Sequence, residues 1–452
     1  MTDLLSIAVT GVRAYQTALS TTSENIANAA TPGYSRRAPV IEEFRTSGVA
    51  GLGQTTLLSG GGVRIAGVSR AADDFRSAQA RTTGSDVARS QASVGWIDRI
   101  EGALAGNQLS DRFTTFFASA KNVAADPSAT APRTVFLEDA RSLAAGFAST
   151  GRALAGAADE LAGQGRDMAA QLTDLSNSMA RINQGLTRAA DGSSARVQLL
   201  DERDRTLEAM SALVDIDAKF DAFGRATVRA GGTAGPVLAD VERGAIVSFV
   251  TNDAGEAAIA VTSSSQSYKV PATGGAMAGL VDGALNIAAA RERLNAMATD
   301  FVAGMKAWQE GGKTLTGTAG TQIFQVMPVG AAPTEISVVV NDPAGVAAAY
   351  GTEGARGNGN ITRLTELRST AGWEAKFDDM TTENAALLKT RRAVVEAQSA
   401  IHSSAVGARD EMTGVDLDEE AVNLIRFQQA YQASSRVIQV AREVLQTMFD
   451  IL

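Results

Sequence analysis

The last segment of the chain repeats a large apolar residue at every seventh position. A helix with this period carries an apolar stripe that has to be buried against a partner helix. Asp416, with Glu419 three positions later, is typical of a capped helix start, and Asp418 and Glu420 suit the positive end of the helix dipole. The repeat consists of Leu417, Leu424, Tyr431, Ile438, Leu445 and Leu452.

The first segment of the chain has a similar period, which predicts a helix that ends near Asn28. Thr31, Pro32, Gly33 and Tyr34 then predict a tight turn, because proline fixes one φ angle and glycine accepts a positive one. Matching periods at both ends favour pairing of the two terminal helices, and packing of each terminus on its own globular core is the alternative. The amino-terminal stripe consists of Leu5, Ala8, Val12, Tyr15, Leu19, Thr22 and Ile26.

The interior of the chain predicts further helices interrupted by strands. Apolar residues recur with helical spacing from Asp73 to about Leu213, whereas alternation from Ile216 to Ala222 is typical of a strand. The predicted helices cover about 73–104, a segment ending before Asp126-Pro127, a segment from Pro132, 153–187, a segment ending at 213, 277–310, 378–411 and 417–452. The predicted β or loop segments are 46–63, 215–272, 322–340 and 351–360.

The fold class that follows is mainly α with inserted β, in which both termini contribute to a long helical bundle or coiled coil. We expect a terminal coiled-coil layer from 1–45 and 412–452, and a small β domain at 215–276. The helical middle domain would comprise 46–214 and 277–411, with the β-like segment at 322–340 inside it. The chain of 452 residues is long enough for several such units.

Composition excludes several classes of function. The formal net charge is −9 and no basic block stands out, which argues against nucleic acid as a partner. There is no cysteine and one histidine, His402, so the usual zinc sites cannot form. The amino terminus does not resemble a secretory signal peptide, and no apolar run approaches the length of about 20 residues that spans a bilayer.

No group of residues predicts catalysis, a cofactor or a metal. Gly311-Gly312-Lys313-Thr314 resembles the end of a phosphate-binding loop, but Ala307 stands where that pattern needs glycine. His402 lies in a polar helical stretch without the neighbours of a serine triad. The sequence therefore predicts a protein that is not an enzyme.

Two terminal segments resemble a known family. Asn25-Ile26-Ala27-Asn28, followed by the stretch from Thr31 to Arg36, resembles the amino-terminal signature of bacterial flagellar rod, hook and hook-associated proteins. The segment 414–452, with its Phe427–Ser434 stretch, resembles their carboxy-terminal signature. The interior residues Leu199–Asp204, with Leu207, Leu213 and Val214, resemble the FlgK-type family, hook-associated protein 1, as does the segment from Phe116 to Ala140.

The resemblance implies a structural protein of the hook–filament junction that forms a ring or short helical layer with copies of itself. It also implies contacts with the hook protein and the next junction protein, export through the flagellar type III channel, and an export chaperone on the carboxy-terminal helix. A rod or hook protein of the same group, or a secreted helical effector or adhesin, is the alternative. The expected assembly residues are Leu5, Val12, Tyr15, Leu19, Asn25, Ile26, Asn28, Pro32, Gly33, Tyr34, Leu417, Leu424, Tyr431, Ile438, Leu445 and Leu452.

Overall fold

The computed structural model describes residues 2–31, 33–45, 60–263 and 266–451. Within these residues the chain is mainly helical, with strands inserted between the helices, as predicted. The helices are α1 (Thr2–Asn28), α2 (Asp74–Ala105), α3 (Leu109–Ala125), α4 (Thr130–Arg188), α5 (Ser194–Leu213), α6 (Ala276–Glu310), α7 (Gly359–Ala371), α8 (Trp373–Thr413) and α9 (Leu417–Ile451). The strands are β1 (Arg37–Arg45), β2 (Gly60–Arg70), β3 (Ile216–Phe220), β4 (Ala226–Ala230), β5 (Val237–Ala239), β6 (Ile246–Thr251), β7 (Ala257–Ser263), β8 (Gln266–Val270), β9 (Phe324–Val326) and β10 (Ile336–Val338).

The terminal helices α1 and α9 pack against each other, which confirms the predicted pairing of the chain ends. The Tyr15 and Phe427 ring centroids are 6.5 Å apart. Gly11 lies beside Ser434, and a Cβ at Gly11 would come within 3.0 Å of the Ser434 hydroxyl. Since the partner residue number falls as the α1 number rises, the two helices run antiparallel.

The helical core is organised around α2, α4 and α6. Helix α2 packs against α5, α6 and α8, and α4 packs against α3, α5 and α6. One end of this bundle is filled by aromatic rings, in which Phe301 stands edge-on to Phe113 at 5.5 Å and to Trp373 at 5.0 Å. These side chains are buried, and their burial supplies much of the hydrophobic stabilisation of the core.

Helix α4 is one continuous helix of 59 residues, so the prediction of separate helices from Pro132 and over 153–187 was wrong. Glycines within the segment interrupt the apolar period without ending the helix. Gly165 allows β6 to approach, because a Cβ there would come within 2.2 Å of the Phe249 ring. Gly151 makes room for Thr334 in the same way.

Three further elements differ from the prediction. The helix expected over 378–411 begins earlier, at Trp373, as α8. Helix α7 comes directly before it, and Gly372, with φ +61°, forms the turn between the two helices. The hairpin of β1 and β2 was not predicted, because its sequence is rich in glycine and charged residues. Positions 60–63, expected to be loop-like, belong to β2, while 46–59 lie outside the described residues.

The inserted β region contains two three-stranded antiparallel sheets, β3-β4-β5 and β6-β7-β8. The buried side chain of Asn183 fastens the first sheet to α4. Its Nδ2 donates to the backbone carbonyls of Ala226 and Asp240, and its Oδ1 accepts from the Ala226 amide at 2.8 Å. The predicted β-like segment at 322–340 is the β9–β10 hairpin.

Among the described residues, no helix combines the length and apolarity needed to cross a bilayer. The same part of the chain contains no cluster of three or more His, Cys, Asp or Glu side chains placed to hold a metal ion.

Candidate functional site

The end of α1 is fixed by the buried side chain of Asn25. Its Oδ1 accepts hydrogen bonds from the Arg37 amide at 3.0 Å and the Tyr34 hydroxyl at 2.9 Å, and its Nδ2 donates to the Arg37 carbonyl at 2.8 Å. The Arg37 guanidinium also lies 4.8 Å from the Tyr34 ring centroid. Asn25 therefore holds the chain reversal that turns α1 into β1.

The predicted turn is present between these residues. The Tyr34 amide donates to the Thr31 carbonyl at 3.1 Å, and Gly33 has φ +73°. A Cβ at Gly33 would lie 2.6 Å from Cγ of Arg205, so glycine is required here by both backbone and space. Asn28 donates to the Glu24 carbonyl inside α1, and Pro32 lies outside the described residues.

Arg36 connects this turn to the start of α9. Its amide donates to the Thr413 carbonyl at 2.9 Å, its Nε lies 2.7 Å from Glu420, and its Nη2 lies 2.8 Å from Glu419. The hydrogen bond to Glu420 raises the pKa of Arg36 above its ordinary value. Asp416 caps α9 as predicted, accepting from the Glu419 amide at 3.2 Å, but the Glu419 carboxylate binds Arg36 and does not complete a capping box.

The interior segment Leu199–Asp204 binds the β1–β2 hairpin. Asp201 lies 2.9 Å from Nη2 of Arg37 and 3.1 Å from Nε of Arg70. Asp204 pairs with Arg70 and Arg203. We call the set Arg36, Arg37, Arg70, Asp201, Asp204, Glu419 and Glu420 the root cluster, because it joins both terminal helices to the helical core.

Burial and ion pairing act in opposite directions on the pKa values of the root cluster. Burial raises the pKa of Asp201, and the attraction of Arg37 and Arg70 offsets this only in part. Burial also acts to raise the pKa of Asp204, but the positive charges of Arg203 and Arg70 outweigh it and the pKa is lowered. Burial raises the pKa of Tyr34.

Sequence reasoning did not assign the root cluster to the site. Asp201 and Asp204 were recognised only as part of a family resemblance, and Arg37 and Arg70 carried no periodic signal. The ion pairs join positions up to 384 residues apart, so no local pattern could identify them. The terminal family signatures could have indicated part of this cluster, since each contains charged residues that need partners.

On α1, the most buried face keeps Ala8 and Thr22 of the predicted stripe and otherwise lies one position earlier. Leu5, Val12, Tyr15 and Leu19 are half-buried, and Ile26 is 37% exposed. The most buried residues of this helix are mainly small, namely Ala8, Gly11, Ala14, Ala18, Thr21, Thr22 and Asn25.

On α9, the heptad stripe turns towards α1 over most of its length. Leu424, Tyr431, Ile438 and Leu445 are half-buried, whereas Leu417 is 53% exposed. Leu452 lies outside the described residues. The structure thus brings together most of the predicted stripe, and Ala441, which lies beside it, is buried as well.

A second apolar stripe on α9 faces solvent. We call these five α9 residues the outer stripe: Val422, Ile425, Val437, Val440 and Val444, with exposed fractions of 41 to 65%. At about 100° per residue, Val422 and Val440 lie nearly opposite the heptad stripe. The other three residues lie on its flanks, each about 100° from the neighbouring stripe residue. On α1, Leu4 and Ile7 are also exposed but are not part of this stripe.

Comparison with known proteins identifies the family. The model of the FlgK helical domain of flagellar hook-associated proteins matches residues 96–324, half of the chain. The chain belongs to the FlgK family. At its ends, residues 5–34 match the flagella basal body rod protein model, and residues 407–451 match the carboxy-terminal model of the basal body rod FlgEFG proteins. FlgK-family proteins are structural components of the flagellum.

Individual FlgK-family relatives agree over different lengths. The chain is similar to flagellar hook-associated protein 1 of Bacillus subtilis (strain 168), 22% identical, covering 99% of this chain and 97% of that protein. It is 31% identical to the protein of that name from Escherichia coli (strain K12) over 147 residues, spanning 27% of that protein and 30% of this chain. The solved hook junction protein FlgK from Burkholderia pseudomallei matches with TM-score 0.50 at 20% identity, covering 55% of this chain and 46% of that one, and supports the shared fold.

Proposed function

We propose that this FlgK-family chain is a structural component of the hook–filament junction that assembles with copies of itself. The observation that carries the proposal is the arrangement of side chains on α1 and α9. Small residues of α1 and the heptad stripe of α9 lie between the two helices, while the outer stripe of α9 faces away from the pair. A helix with a second apolar stripe needs a further partner to bury it.

The outer stripe needs a partner in the assembled state. Val422, Ile425 and Val440 are each more than half exposed. Full burial of one such side chain stabilises an interface by about 1.5–3 kcal/mol. A second copy of the chain meets this need repeatedly, since each copy presents the same stripe, and a ring or short helical layer would bury all of them.

The expected assembly residues then divide by location. Leu424, Tyr431, Ile438 and Leu445 would fix the α1–α9 pair, and Asn25, Gly33 and Tyr34 would fix its exit from the core. We infer that the terminal pair forms the inner layer, with the helical core outside it and the β3–β8 region outermost. The β1–β2 hairpin crosses the domain boundary expected at residue 45, because β1 lies before that boundary and β2 lies after it.

The finer partner and location assignments are also proposals. Hook protein and the next junction protein would contact the two faces of the layer, and the chain would act outside the cell after type III export without a cleaved signal. An export chaperone would cover α9 before assembly, because an exposed apolar stripe promotes aggregation. Catalysis has no part in this function.

A rod or hook position is the second candidate, because both terminal family models carry rod-protein descriptions. The match of the FlgK helical domain to the interior favours the junction. The deciding experiment is electron microscopy of cells that lack the gene, with flagellin assayed in the medium. Hooks without filaments and shed flagellin support the junction, missing hooks support the rod or hook, and normal filaments overturn both.

A further inference from the structure

A cleft of about 680 Å³ lies beside the root cluster, between the 31–36 turn, α2, α5 and the α8–α9 connection. Its walls combine polar and apolar surface, and charges of both signs face it. The arginines are Arg70, Arg81, Arg205 and Arg409, and the carboxylates are Asp204, Glu208, Asp410, Glu411 and Asp416.

Arg81 is the unusual member of this wall. It lies on α2 and is 8% exposed, yet it has no hydrogen bond and no ion pair within 4.0 Å among the described residues. Burial lowers its pKa, and Asp204 and Glu208 attract it only from a greater distance. Burial of a guanidinium without a partner is costly, because part of its hydration is lost and no carboxylate replaces it.

The carboxylates nearest to Arg81 already bind other cations. Asp204 pairs with Arg70 and Arg203, and Glu208 pairs with Arg409.

Two further wall carboxylates are engaged. Asp416 accepts backbone amides at the start of α9, and Asp410 pairs with Arg409. Glu411 is exposed and has no ion pair among the described residues, and the same is true of Arg205. Among the described residues, the charged wall side chains with neither an ion pair nor a hydrogen bond are therefore Arg81, Arg205 and Glu411.

We propose that this cleft binds an oxyanion of the carboxylate or phosphate type, held by the Arg81 guanidinium with Arg205 as the second donor. Arginine suits this task because its planar fork binds two oxygens of such a group at once. The oxyanion is either a dissolved ion or an acidic side chain of a second copy. The second source rests on the proposed self-assembly, and the first does not.

The first arm measures unfolding of the full chain by denaturant in chloride, phosphate, sulfate and acetate at equal ionic strength. The variants are Arg81→Met, Arg81→Lys and Arg391→Met. Arg391 is an exposed α8 arginine 18 positions from Arg409, or about 27 Å along the helix, and controls for general charge and salt effects. An anion at 100 times its Kd would raise the unfolding free energy of wild type by about 2.7 kcal/mol, a hundredfold change in the equilibrium constant.

For a dissolved ion, we expect wild type and Arg391→Met to be stabilised alike, Arg81→Lys less, and Arg81→Met no more than by the general salt effect. In chloride, Arg81→Met should equal or exceed wild type in stability, because it removes an unpaired buried cation. A clear loss of stability in chloride would overturn the proposal, since it would mean that Asp204 and Glu208 already neutralise Arg81.

The second arm measures self-association in chloride by sedimentation. If no anion stabilises the wild-type monomer but Arg81→Met and Arg81→Lys weaken association at least tenfold relative to Arg391→Met, a carboxylate of a second copy is the ligand. If anions have no specific effect and all variants associate like wild type, the oxyanion site is overturned while the proposed function stands. Failure of wild type itself to assemble on hooks would instead count against the proposed function.

Discussion

Arg36 and Glu420 lie 384 positions apart in the chain, and their side chains form an ion pair of 2.7 Å. Glu420 is 2% exposed, whereas Arg36 is partly exposed. Arg36 directly precedes β1 and Glu420 lies in the first turn of α9. This pair therefore joins the exit of the first terminal helix to the entrance of the second.

The substitution Glu420→Gln should loosen the start of α9. It removes the buried charge that pairs with Arg36, and we expect a loss of about 1–3 kcal/mol in the local opening free energy. Hydrogen exchange of the amides in the first two turns of α9 measures this directly. Glu419→Gln is the matched control, because Glu419 is 57% exposed and an exposed pair contributes about 0–1 kcal/mol. Equal effects of the two substitutions would contradict the role given to burial.

The root cluster should also make stability depend on pH through Asp204. Its folded-state pKa is below the ordinary value of 3.8, so its contribution is complete above that value and is lost as pH falls through the lower folded-state pKa. Asp204→Asn should reduce the unfolding free energy at pH 7 by about 2 kcal/mol, since Arg70 and Arg203 lose their hydrogen bonds to a charged partner.

The measurement for Asp204 is denaturant unfolding of both proteins at pH 7, 5 and 3.5. The difference between wild type and Asp204→Asn should be constant between pH 7 and 5 and smaller at pH 3.5. Glu202→Gln, an exposed neighbour on the same helix, should differ little from wild type at each pH. A difference that grows on acidification would show that the sign assigned to Asp204 is wrong.

Arg133 stabilises the core without a carboxylate. It is 1% exposed, its Nε donates to the Pro127 carbonyl at 2.7 Å, and its Nη1 donates to the carbonyls of Pro343 and Val346. Burial lowers its pKa. Arg133→Met should cost about 3 kcal/mol of unfolding free energy, because it leaves these carbonyls without a donor.

The Arg133 prediction is checked by the denaturant midpoint. Arg141→Met serves as the control, since Arg141 lies on the same helix and pairs with the exposed Glu138. We expect that control to change stability by less than about 1 kcal/mol. If Arg133→Met matched it, the buried hydrogen bonds would contribute little net stability.

Periodicity alone predicted the elements that follow one local rule. The α9 stripe was visible because Leu424, Tyr431 and Ile438 are large and regularly spaced. Apart from Ala8 and Thr22, the buried face of α1 lies one position earlier than predicted, because buried residues such as Gly11 and Ala14 carry little hydrophobic signal. They are buried because small side chains let two helices approach closely, and that approach is visible only with the partner in place.

Relationships between distant segments could not be predicted in the same way. Asp201 and Arg37 are unremarkable in their own segments, and their pairing depends on how α5 and the hairpin meet. Gly165 lies inside the helix predicted over 153–187, and nothing in that segment indicates that it accommodates Phe249 from β6. In each case the deciding partner lies far away in sequence.

The outer stripe yields a prediction that separates folding from assembly. Val440→Glu places a charge on the exposed face of α9, so the unfolding free energy of the monomer should stay within about 0.5 kcal/mol of wild type. Ile438→Glu, two positions earlier, places the same charge on the half-buried face against α1 and should separate the terminal helices. Circular dichroism and hydrogen exchange of α1 and α9 distinguish these outcomes in the monomer.

Assembly should then fail in both variants for different reasons. Val440→Glu would disfavour contact between copies, because a buried unpaired carboxylate costs more than the valine gained. Complementation of a deletion strain, scored as filaments attached to hooks, measures this, and Val440→Ala should assemble more weakly than wild type but better than Val440→Glu. Normal filaments with Val440→Glu and with Ile425→Glu would show that the outer stripe stays solvent-facing in the assembled layer, and the contacts between copies would have to lie elsewhere on the chain.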